Sequence, residues 1–336
     1  MAKTGTTLAA SLAAVMSGVG LSVAAQAMPP VITLPGDNAF PESVTSSTEN
    51  DLYAGSVAAG GILRARRGEA QARPWVEPGA FGSRSIFGVL SDDPTLTLWA
   101  CSNDMSAAGI PGPGSATGSL LLGFDLRTAK GKVSARLPGD HTLCNDIAVG
   151  PDGAVYVTDM AAPQILRLRR GAHELETWLT DPQFKPAPGG GLDGIAFGSD
   201  GNLYVDTLVP GELYRIDVRQ GVAGTVTKLT ASRPLALPDA LRAIGPDTFL
   251  LVEGVGRLDR VTVHGDTATI ETLKDGLLGP TGVTVMAGAA WVAEGQLSYL
   301  FGRTNKGQSP VRPFRVSAVP LTAKARASLG MAGPRD

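Results

Sequence analysis

Four oxygen-bearing side chains occupy equivalent places along the sequence. Glu42, Asn145, Asp193 and Asp239 stand at one common spacing before Tyr53, Tyr156, Tyr204 and Leu250, respectively, in the following strand-like segment. Three carboxylates and one amide in a ring would repel each other strongly unless a cation lay between them. Such ligands favour a hard divalent cation, Ca²⁺ first, with Mg²⁺, Mn²⁺ or Zn²⁺ as alternatives. Turn capping explains any single Asn or Asp equally well, but the shared register of all four favours a metal site.

These four residues head copies of one internal repeat. Residues 145–157 (NDIAVGPDGAVYV) align without gaps with residues 193–205 (DGIAFGSDGNLYV). Weaker copies lie at Glu42, around Trp99, at Asp239 and at Thr281. Four short strands joined by Gly and Asp turns, repeating every 40 to 50 residues or so, are typical of a β-propeller blade. The sequence therefore predicts an all-β, six-bladed propeller with four-stranded antiparallel blades around a central channel.

Propeller topology also predicts where the functional loops lie. The short turns fall at one end of the channel, and the long links fall at the other, with the four oxygen ligands. The long links are residues 103–118, 182–191 and 302–313. Long loops on one face of a rigid scaffold usually carry function, so we expect residues 103–118 and 302–313 to determine the substrate. We also expect Val31–Leu34 to close the ring by pairing near Arg315–Leu321.

The segment 1–27 is typical of a secretory signal peptide. Lys3 precedes an apolar stretch from Leu8 to Ala25, and Ala25-Gln26-Ala27 supplies a cleavage site. An uncleaved membrane anchor is the alternative, because the apolar stretch approaches a spanning length. We therefore expect a signal peptide over residues 1–27, one propeller domain over 28–325, a tail over 326–336, and export to the periplasm or beyond.

Charge excludes two classes of partner. The 29 Lys and Arg residues against 31 Asp and Glu residues give a formal net charge of −2. Such a balance carries no signature of nucleic-acid binding and no polybasic segment for anionic lipid. We expect a small-molecule partner, no nucleic acid, and no membrane association after signal cleavage; the oligomeric state stays open.

The two cysteines fit an exported protein. An oxidising compartment permits a disulfide between Cys101 and Cys144, which both lie at predicted top ends of strands in adjacent blades. Two unpaired buried thiols are the alternative.

Four motifs resemble the successive signatures of the gluconolactonase/regucalcin (senescence marker protein) family of six-bladed propellers. They are Phe40-Pro41-Glu42, Cys144-Asn145-Asp146, Leu192-Asp193-Gly194 and Pro238-Asp239-Ala240. The resemblance extends from about Phe40 to Trp291, nearly the whole predicted mature chain. It implies hydrolysis of a cyclic ester such as a lactone.

The resemblance also implies a role for each site residue. Glu42, Asp193 and Asp239 would bind the divalent metal. Asn145 would contact the substrate or a water on the metal, and it could itself complete the ligand set. Asp239 would additionally be the general base.

The chain departs from the family pattern at three places. Asp193 stands where the family has Asn, Ala240 follows Asp239 where the family has Gly, and Ser43-Val44 replace the usual residues after the first glutamate. The additional carboxylate should tighten Ca²⁺ binding and make the metal less Lewis-acidic toward a substrate.

His141 is a second candidate for the base, because it precedes Asn145 on a predicted top loop. A solvated loop position is the alternative interpretation. The sequence contains no Gly-x-Ser-x-Gly motif, which argues against a serine nucleophile of the α/β-hydrolase type.

A second function fits the same residues, since propellers host both enzymes and binding proteins. It is a non-catalytic propeller that binds a ligand or protein through its top loops and holds a structural Ca²⁺. An open coordination position on the metal would distinguish an enzyme from this binding protein.

Overall fold

The computed structural model describes residues 1–2, 28–302 and 308–321. Most of the predicted signal peptide, residues 3–27, and the predicted tail, residues 326–336, lie outside these ranges. The described part is almost entirely β-structure, with one short α-helix, α1 (Leu297–Leu300), and four short 3₁₀ helices. None of its helices has both the length and the apolar character needed to cross a bilayer.

The described residues form 25 strands. In chain order they are β1 (Val31–Thr33), β2 (Pro41–Ser46), β3 (Leu52–Ser56), β4 (Ile62–Ala65), β5 (Arg73–Val76), β6 (Ser85–Asp92), β7 (Thr97–Asn103), β8 (Ser119–Asp125), β9 (Gly131–Arg136), β10 (Cys144–Val149), β11 (Val155–Asp159), β12 (Gln164–Leu168), β13 (Glu176–Thr180), β14 (Leu192–Phe197), β15 (Leu203–Thr207), β16 (Glu212–Arg219), β17 (Val222–Lys228), β18 (Thr230–Ala231), β19 (Pro238–Gly245), β20 (Thr248–Glu253), β21 (Arg257–His264), β22 (Thr267–Lys274), β23 (Pro280–Met286), β24 (Ala289–Glu294) and β25 (Arg315–Pro320).

The strands assemble into six sheets, which confirms the predicted six-bladed propeller. Blades 1 to 4 contain β2–β5, β6–β9, β10–β13 and β14–β17, and blade 5 contains β19–β22 with β18 added in parallel at its outer edge. Blade 6 combines β23, β24 and β25 with β1. The first strand of each of blades 1 to 6 contacts its equivalents in the neighbouring blades, so these six strands line the channel.

The ring is closed by the N-terminal strand, as the sequence predicts. β1 pairs antiparallel with β25, and Ile32 lies opposite Val316. The Ile32 side chain is completely buried. Blade 6 is therefore built from the two ends of the described chain, and its outer strand comes from the N-terminal side.

The repeated tyrosines pack between blades. The Tyr156 ring makes an edge contact with Phe197 at 5.1 Å between centroids, and Tyr204 packs on Phe249 at 4.7 Å. Each tyrosine thereby joins its own blade to the next one, which is a favourable geometry for aromatic pairs. The aromatic position of the repeat is thus an interblade contact.

Every channel-lining strand has a shift of register close to its start. The shift in β10, for example, lies between Cys144 and Ile147. Such a bulge leaves the bulged residues unpaired and re-aims their side chains. The residues at the six equivalent positions are Glu42, Phe87, Asn145, Asp193, Asp239 and Thr281.

Close approach between neighbouring bulges explains two glycines. A Cβ atom on Gly88 would lie 2.3 Å from the Asn145 carbonyl oxygen, and one on Gly194 would lie 2.4 Å from that of Asp239. Real Cβ atoms do not come so close to backbone, so these positions require glycine. The Gly of the Leu192-Asp193-Gly194 motif therefore has a packing role.

Blades 2 and 3 are joined covalently. Cys101 in β7 and Cys144 in β10 form a disulfide with a Cα–Cα distance of 5.2 Å, which confirms the predicted pairing. The buried Asn103 side chain adds two hydrogen bonds, since it accepts from the Cys144 amide at 3.0 Å and donates to the Cys144 carbonyl at 2.8 Å. Both features hold the backbone immediately before Asn145.

Candidate metal centre and substrate cavity

The channel opens at one end into a cavity of about 450 Å³. All six residues at the bulge positions line this cavity, and four of them are the residues that the repeat singles out: Glu42, Asn145, Asp193 and Asp239. The other two, Phe87 and Thr281, were missed because neither residue type suggests a ligand. The common bulge is the local structure that brings these positions to one level of the channel.

Three carboxylates converge on the floor of the cavity. Glu42, Asp193 and Asp239 each present one carboxylate oxygen, and these oxygens lie within 4.8 Å of one another. Their exposed fractions are 4%, 2% and 9%. Asn145 is part of the same group, because its Nδ2 donates a hydrogen bond to Asp193 Oδ1. The structure therefore brings together all four predicted metal-site residues.

Burial and mutual repulsion act on these carboxyl groups. Burial, followed by the charges of Asp193 and Asp146, raises the pKa of Glu42 well above its usual range. Burial and then the charge of Asp146 raise the pKa of Asp193, and burial, Asp193 and Glu42 raise the pKa of Asp239. Each group thus holds its proton more tightly than a solvated carboxyl does.

Two further carboxyl groups and one cation lie beside this cluster, and sequence reasoning did not include them in the site. Arg242 donates from Nη1 to Asp146 Oδ2 at 2.6 Å and from Nη2 to Asp146 Oδ1 at 2.8 Å. Asp206 Oδ1 accepts from the Gly194 amide at 3.1 Å, and burial raises the pKa of Asp206. Asp206 directly follows the apolar strand segment 203–205, and an acid at that point was the signal that could have revealed it.

Negative groups outnumber positive ones in this region. The buried carboxyl groups are those of Glu42, Asp146, Asp193, Asp206 and Asp239, and the charges of the other four all raise the pKa of Asp239. The guanidinium of Arg242 is the cation that acts on these carboxyl groups, and it is already hydrogen-bonded to Asp146. Unpaired buried charge is costly, so the arrangement favours an additional cation.

The donor atoms fit a hard divalent cation. Glu42 Oε2 and Asn145 Oδ1 are buried acceptors without a hydrogen-bond donor among the described residues. Asp206 Oδ2 is in the same situation. Carboxylate and amide oxygens suit Ca²⁺ or Mg²⁺ better than Zn²⁺, whose protein sites use His and Cys more often.

His141 lies apart from this group. Its side chain is exposed, and it is not among the residues that line the cavity. Leu143, which follows in the same loop, lines the cavity instead. The sequence pattern placed the loop at the correct end of the channel, but the position of one side chain within a loop depends on its turns. A catalytic role for His141 stays a prediction without geometric support.

The upper wall of the cavity is apolar. We call it the collar, and its members come from links in five of the six blades: Met105, Leu143, Met160, Leu208, Leu237, Leu297 and Phe301. The predicted loop 103–118 supplies Met105 and Ala108, and loop 182–191 supplies Gly189. Of loop 302–313, residues 303–307 lie outside the described residues. The contribution of α1 was not predicted, because so short a segment carries no helical periodicity.

A buried arginine holds the loop that carries Met105. Arg84 donates to the Ala116 carbonyl and to Ser106 Oγ, both at 2.8 Å, and forms an ion pair with Asp104 at 2.8 Å. These bonds span the loop from its beginning to its end. The wall above the acidic floor is therefore fixed by charge-assisted hydrogen bonds on the side of blade 2.

Comparison with solved structures gives the fold of this chain independent support. No protein-family model and no curated protein sequence matches the chain. A gluconolactonase from Xanthomonas campestris is similar with a TM-score of 0.58 and 15% identity, over 86% of this chain and 89% of that one. The allergen Mala s 1 of Malassezia sympodialis gives a TM-score of 0.66 and 15% identity, over 87% of this chain and 96% of the other.

A third similar structure is virginiamycin B lyase from Staphylococcus aureus, with a TM-score of 0.56 and 18% identity over 86% of this chain and 83% of that one. A gluconolactonase, an allergen and a lyase thus share one architecture with this chain. At these identities the likeness establishes the propeller fold. The chemistry has to be argued from the site.

Proposed function

We propose that this protein is a divalent-metal-dependent hydrolase of cyclic esters. The observation that carries the proposal is the buried acidic cluster at the cavity floor, in which Glu42, Asp193 and Asp239 converge within 4.8 Å. The likeness to a gluconolactonase propeller supports the same reaction class.

Glu42, Asn145, Asp193 and Asp239 would hold the metal. A bound divalent cation polarises an ester carbonyl and so supplies the electrophilic part of the reaction. Asp146, Asp206 and Arg242 would support this ligand set from the side. The ion pair between Arg242 and Asp146 keeps that guanidinium from competing for the other carboxylates.

Asp239 is the best-placed proton acceptor of the cluster. Asp239 is the most exposed residue of the three, so a water molecule in the cavity can reach its carboxylate most easily. It would take a proton from the attacking water as the water oxygen bonds to the carbonyl carbon. The ring C–O bond then breaks, and the proton passes to the leaving ring oxygen, which gives a hydroxy acid.

The surroundings assist turnover in two ways. The collar keeps bulk water away from the reacting ester, which strengthens electrostatic interactions inside the cavity. The product is an anion at neutral pH, and the excess of carboxylates on the floor repels it. Product release is therefore favoured over rebinding.

One observation favours a second function. Asp193 supplies a third carboxylate in the cluster, where the family that the motifs resemble has an amide. A cation held by three carboxylates is a weaker Lewis acid, and it would suit a ligand-binding propeller with a structural Ca²⁺.

The test compares lactone hydrolysis with and without metal. Acid release would be followed in a pH-stat over sugar and aliphatic lactones, after EDTA treatment and after return of Ca²⁺ or another divalent ion. We expect EDTA to abolish turnover, the metal to restore it, and Asp239→Asn to lower kcat/KM by about 100-fold or more. The matched control is Asp140→Asn, which neutralises an exposed acid on a top loop and should keep full activity.

Turnover that survives EDTA, or an Asp239→Asn variant as active as the control, would overturn the proposal. A protein that binds one metal ion per chain and hydrolyses no lactone would be the binding propeller.

A further inference from the structure

The cavity has two chemically different zones. Its floor carries the buried carboxylates, and above them lies the collar of leucine, methionine and phenylalanine. Phe87 extends the apolar zone down to the floor, because it occupies in blade 2 the bulge position that blades 1, 3, 4 and 5 use for polar ligands. A ligand that fits both zones has one polar end and one apolar end.

Few polar groups of the wall are free to recognise hydroxyl groups. The Thr281 hydroxyl donates to the Pro41 carbonyl oxygen at 2.9 Å, and the Asn145 amide donates to Asp193. Ser298 is the remaining hydroxyl side chain among the described lining residues. In the described part of the lining, buried side-chain acceptors without a donor lie only at the floor, at Glu42 and Asn145, so hydroxyl groups held against the collar would lose water without gaining side-chain partners, which opposes binding.

Leu237 adds an exposed aliphatic side chain to the apolar zone of the cavity. It adopts φ +55° and is nevertheless 38% exposed, just before the Pro238-Asp239 motif. The left-handed conformation is uncommon for any residue with a side chain such as leucine and persists mainly where the surroundings or function require it.

The other blades show what this backbone position usually needs. Gly279 stands at the same place before Pro280 in blade 6, with φ +52°, where glycine meets the conformation without strain. Phe40 stands there in blade 1 with φ +37°, and its ring is buried against Phe314 at 4.6 Å between centroids. The Leu237 carbonyl accepts from the Gly254 amide at 2.8 Å, and the carbonyls of Phe40 and Gly279 accept equivalent bonds, so the blade itself imposes this conformation. At Leu237 it leaves an exposed aliphatic side chain in the cavity, which the apolar part of a ligand can cover.

The charge of the cavity floor restricts the class of ligand further. The carboxylates around Asp193 and Asp239 outnumber the guanidinium of Arg242 that acts on them, and they disfavour a substrate that carries its own carboxylate. A cavity of about 450 Å³ holds a small organic molecule with room for a flexible chain.

We infer that the cavity accepts a neutral cyclic ester whose remaining part is a hydrocarbon chain, with the ester at the floor and the chain against the collar. The ester end of this ligand rests on the proposed function, and its hydrocarbon part rests on the collar and on Leu237. Sugar lactones are accordingly poor substrates.

The test measures kcat/KM of the metal-loaded, full-length protein over γ-lactones with alkyl chains from methyl to octyl, with gluconolactone alongside. Burial of each methylene should raise kcat/KM by about fourfold until the collar is covered. Gluconolactone, which has no alkyl chain to bury, should fall more than about 100-fold below the hexyl lactone, because several fourfold factors multiply.

Leu237→Asn tests the collar without a folding penalty, because asparagine tolerates the left-handed conformation that leucine adopts there under strain. We expect a smaller increase of kcat/KM per methylene and no loss of thermal stability. Val255→Asn is the matched control, since Val255 is an exposed aliphatic residue that does not line the cavity, and the increase per methylene should be unchanged.

The outcomes separate the two proposals. Efficient gluconolactone turnover with no gain from alkyl chains would overturn this inference and leave the hydrolase intact. If no lactone is hydrolysed, the hydrolase proposal fails, and calorimetric binding of unreactive 2-alkylcyclopentanones then decides the inference. Affinity that rises with chain length supports an apolar ligand, and affinity that does not rise overturns it.

Discussion

A carboxyl group taken out of water must be neutralised or paired, and the floor of this cavity concentrates several of them. Glu42, Asp193 and Asp239 share one small volume, with Asp206 close by. Burial and mutual repulsion raise the pKa values of these carboxyl groups, so that protons neutralise them. A divalent ion offers the opposite solution, because it stabilises the ionised forms. The site therefore links proton binding to metal binding at the level of single residues.

This linkage predicts how stability depends on pH. The native carboxyl pKa values are raised, so between the usual carboxyl range and neutral pH the native state binds more protons than the unfolded state. In EDTA, the free energy of unfolding should be largest at low pH within that window and should fall as pH rises. Saturating Ca²⁺ should flatten or reverse this fall. Urea unfolding between pH of about 5 and 8 measures it.

Asp193→Asn serves as the internal comparison, since it removes one of the interacting carboxyl groups. It should weaken the pH dependence in EDTA and lower the affinity for Ca²⁺ by about tenfold or more. Stability in EDTA that rises with pH in the native protein would contradict the electrostatic description of the site.

Residue spacing predicted part of this site and not the rest. Glu42, Asn145, Asp193 and Asp239 were accessible from the sequence because one bulge recurs at the same place in successive repeats. The partnership of Arg242 with Asp146 was not accessible, because it depends on contact between blades that are far apart in the chain. The outward position of His141 illustrates the same limit, since a loop residue has no period to follow.

At the scale of elements, the bulged strands position the ligands, and their anchors are unequal. Between blades 2 and 3 the disulfide and Asn103 fix the start of β10, immediately before Asn145. Other bulges are held by hydrogen bonds alone, such as the one from the Thr158 hydroxyl to the Asp193 carbonyl at 2.7 Å. Asn145 is accordingly the ligand whose position depends most on a covalent bond.

Removing the disulfide should therefore affect both stability and the site. The bond joins cysteines with a sequence separation of 43, and Cys101→Ala with Cys144→Ala should lower the free energy of unfolding by about 4 kcal/mol. We also expect weaker Ca²⁺ binding, because the backbone beside Asn145 loses its anchor. Denaturant unfolding and calorimetric titration measure the two effects. A variant with unchanged unfolding and unchanged affinity would show that Asn103 alone suffices to hold β10.

Element prediction succeeded where the sequence repeats and stopped where it does not. The blades around residues 145–157 and 193–205 were recognisable from aligned residues, and the closing strand followed from propeller topology. β18 was not predicted, because so short a strand on an outer edge leaves no pattern. The collar was missed for a related reason, as each blade contributes single apolar residues from links of different length and conformation.

At the scale of the whole molecule, stability depends on closing the ring. β1 completes blade 6 with the fully buried Ile32 side chain opposite Val316. We expect Ile32→Ala to cost about 3 kcal/mol, because it leaves a cavity in the closing blade. Thr33→Ala, in the same strand, should cost less than about 1 kcal/mol, since it removes one exposed hydrogen bond. Urea unfolding of both variants compares them. Equal effects would mean that burial in β1 does not hold the ring closed.

Six-bladed architecture was predictable because the spacing between Asn145 and Asp193, taken as one period, fits about five times between Glu42 and Thr281, the heads of the first and last copies. The predicted signal peptide and the predicted export stay predictions, and the oligomeric state stays open. The substrate preference, in contrast, could only be inferred after the links had been placed around one cavity.

The closing blade also sets an order in time during protein synthesis. Of the strands in the described residues, β1 leaves the ribosome first, and its partner β25, which ends at Pro320, leaves last. For most of translation β1 cannot join its own sheet. A neighbour made early can hold it, because the Thr33 amide donates to the Ala70 carbonyl at 2.9 Å and the Ala72 amide donates to the Thr33 carbonyl at 2.9 Å. The growing chain can thus hold its first strand beside blade 1 until the last strand arrives to pair with it.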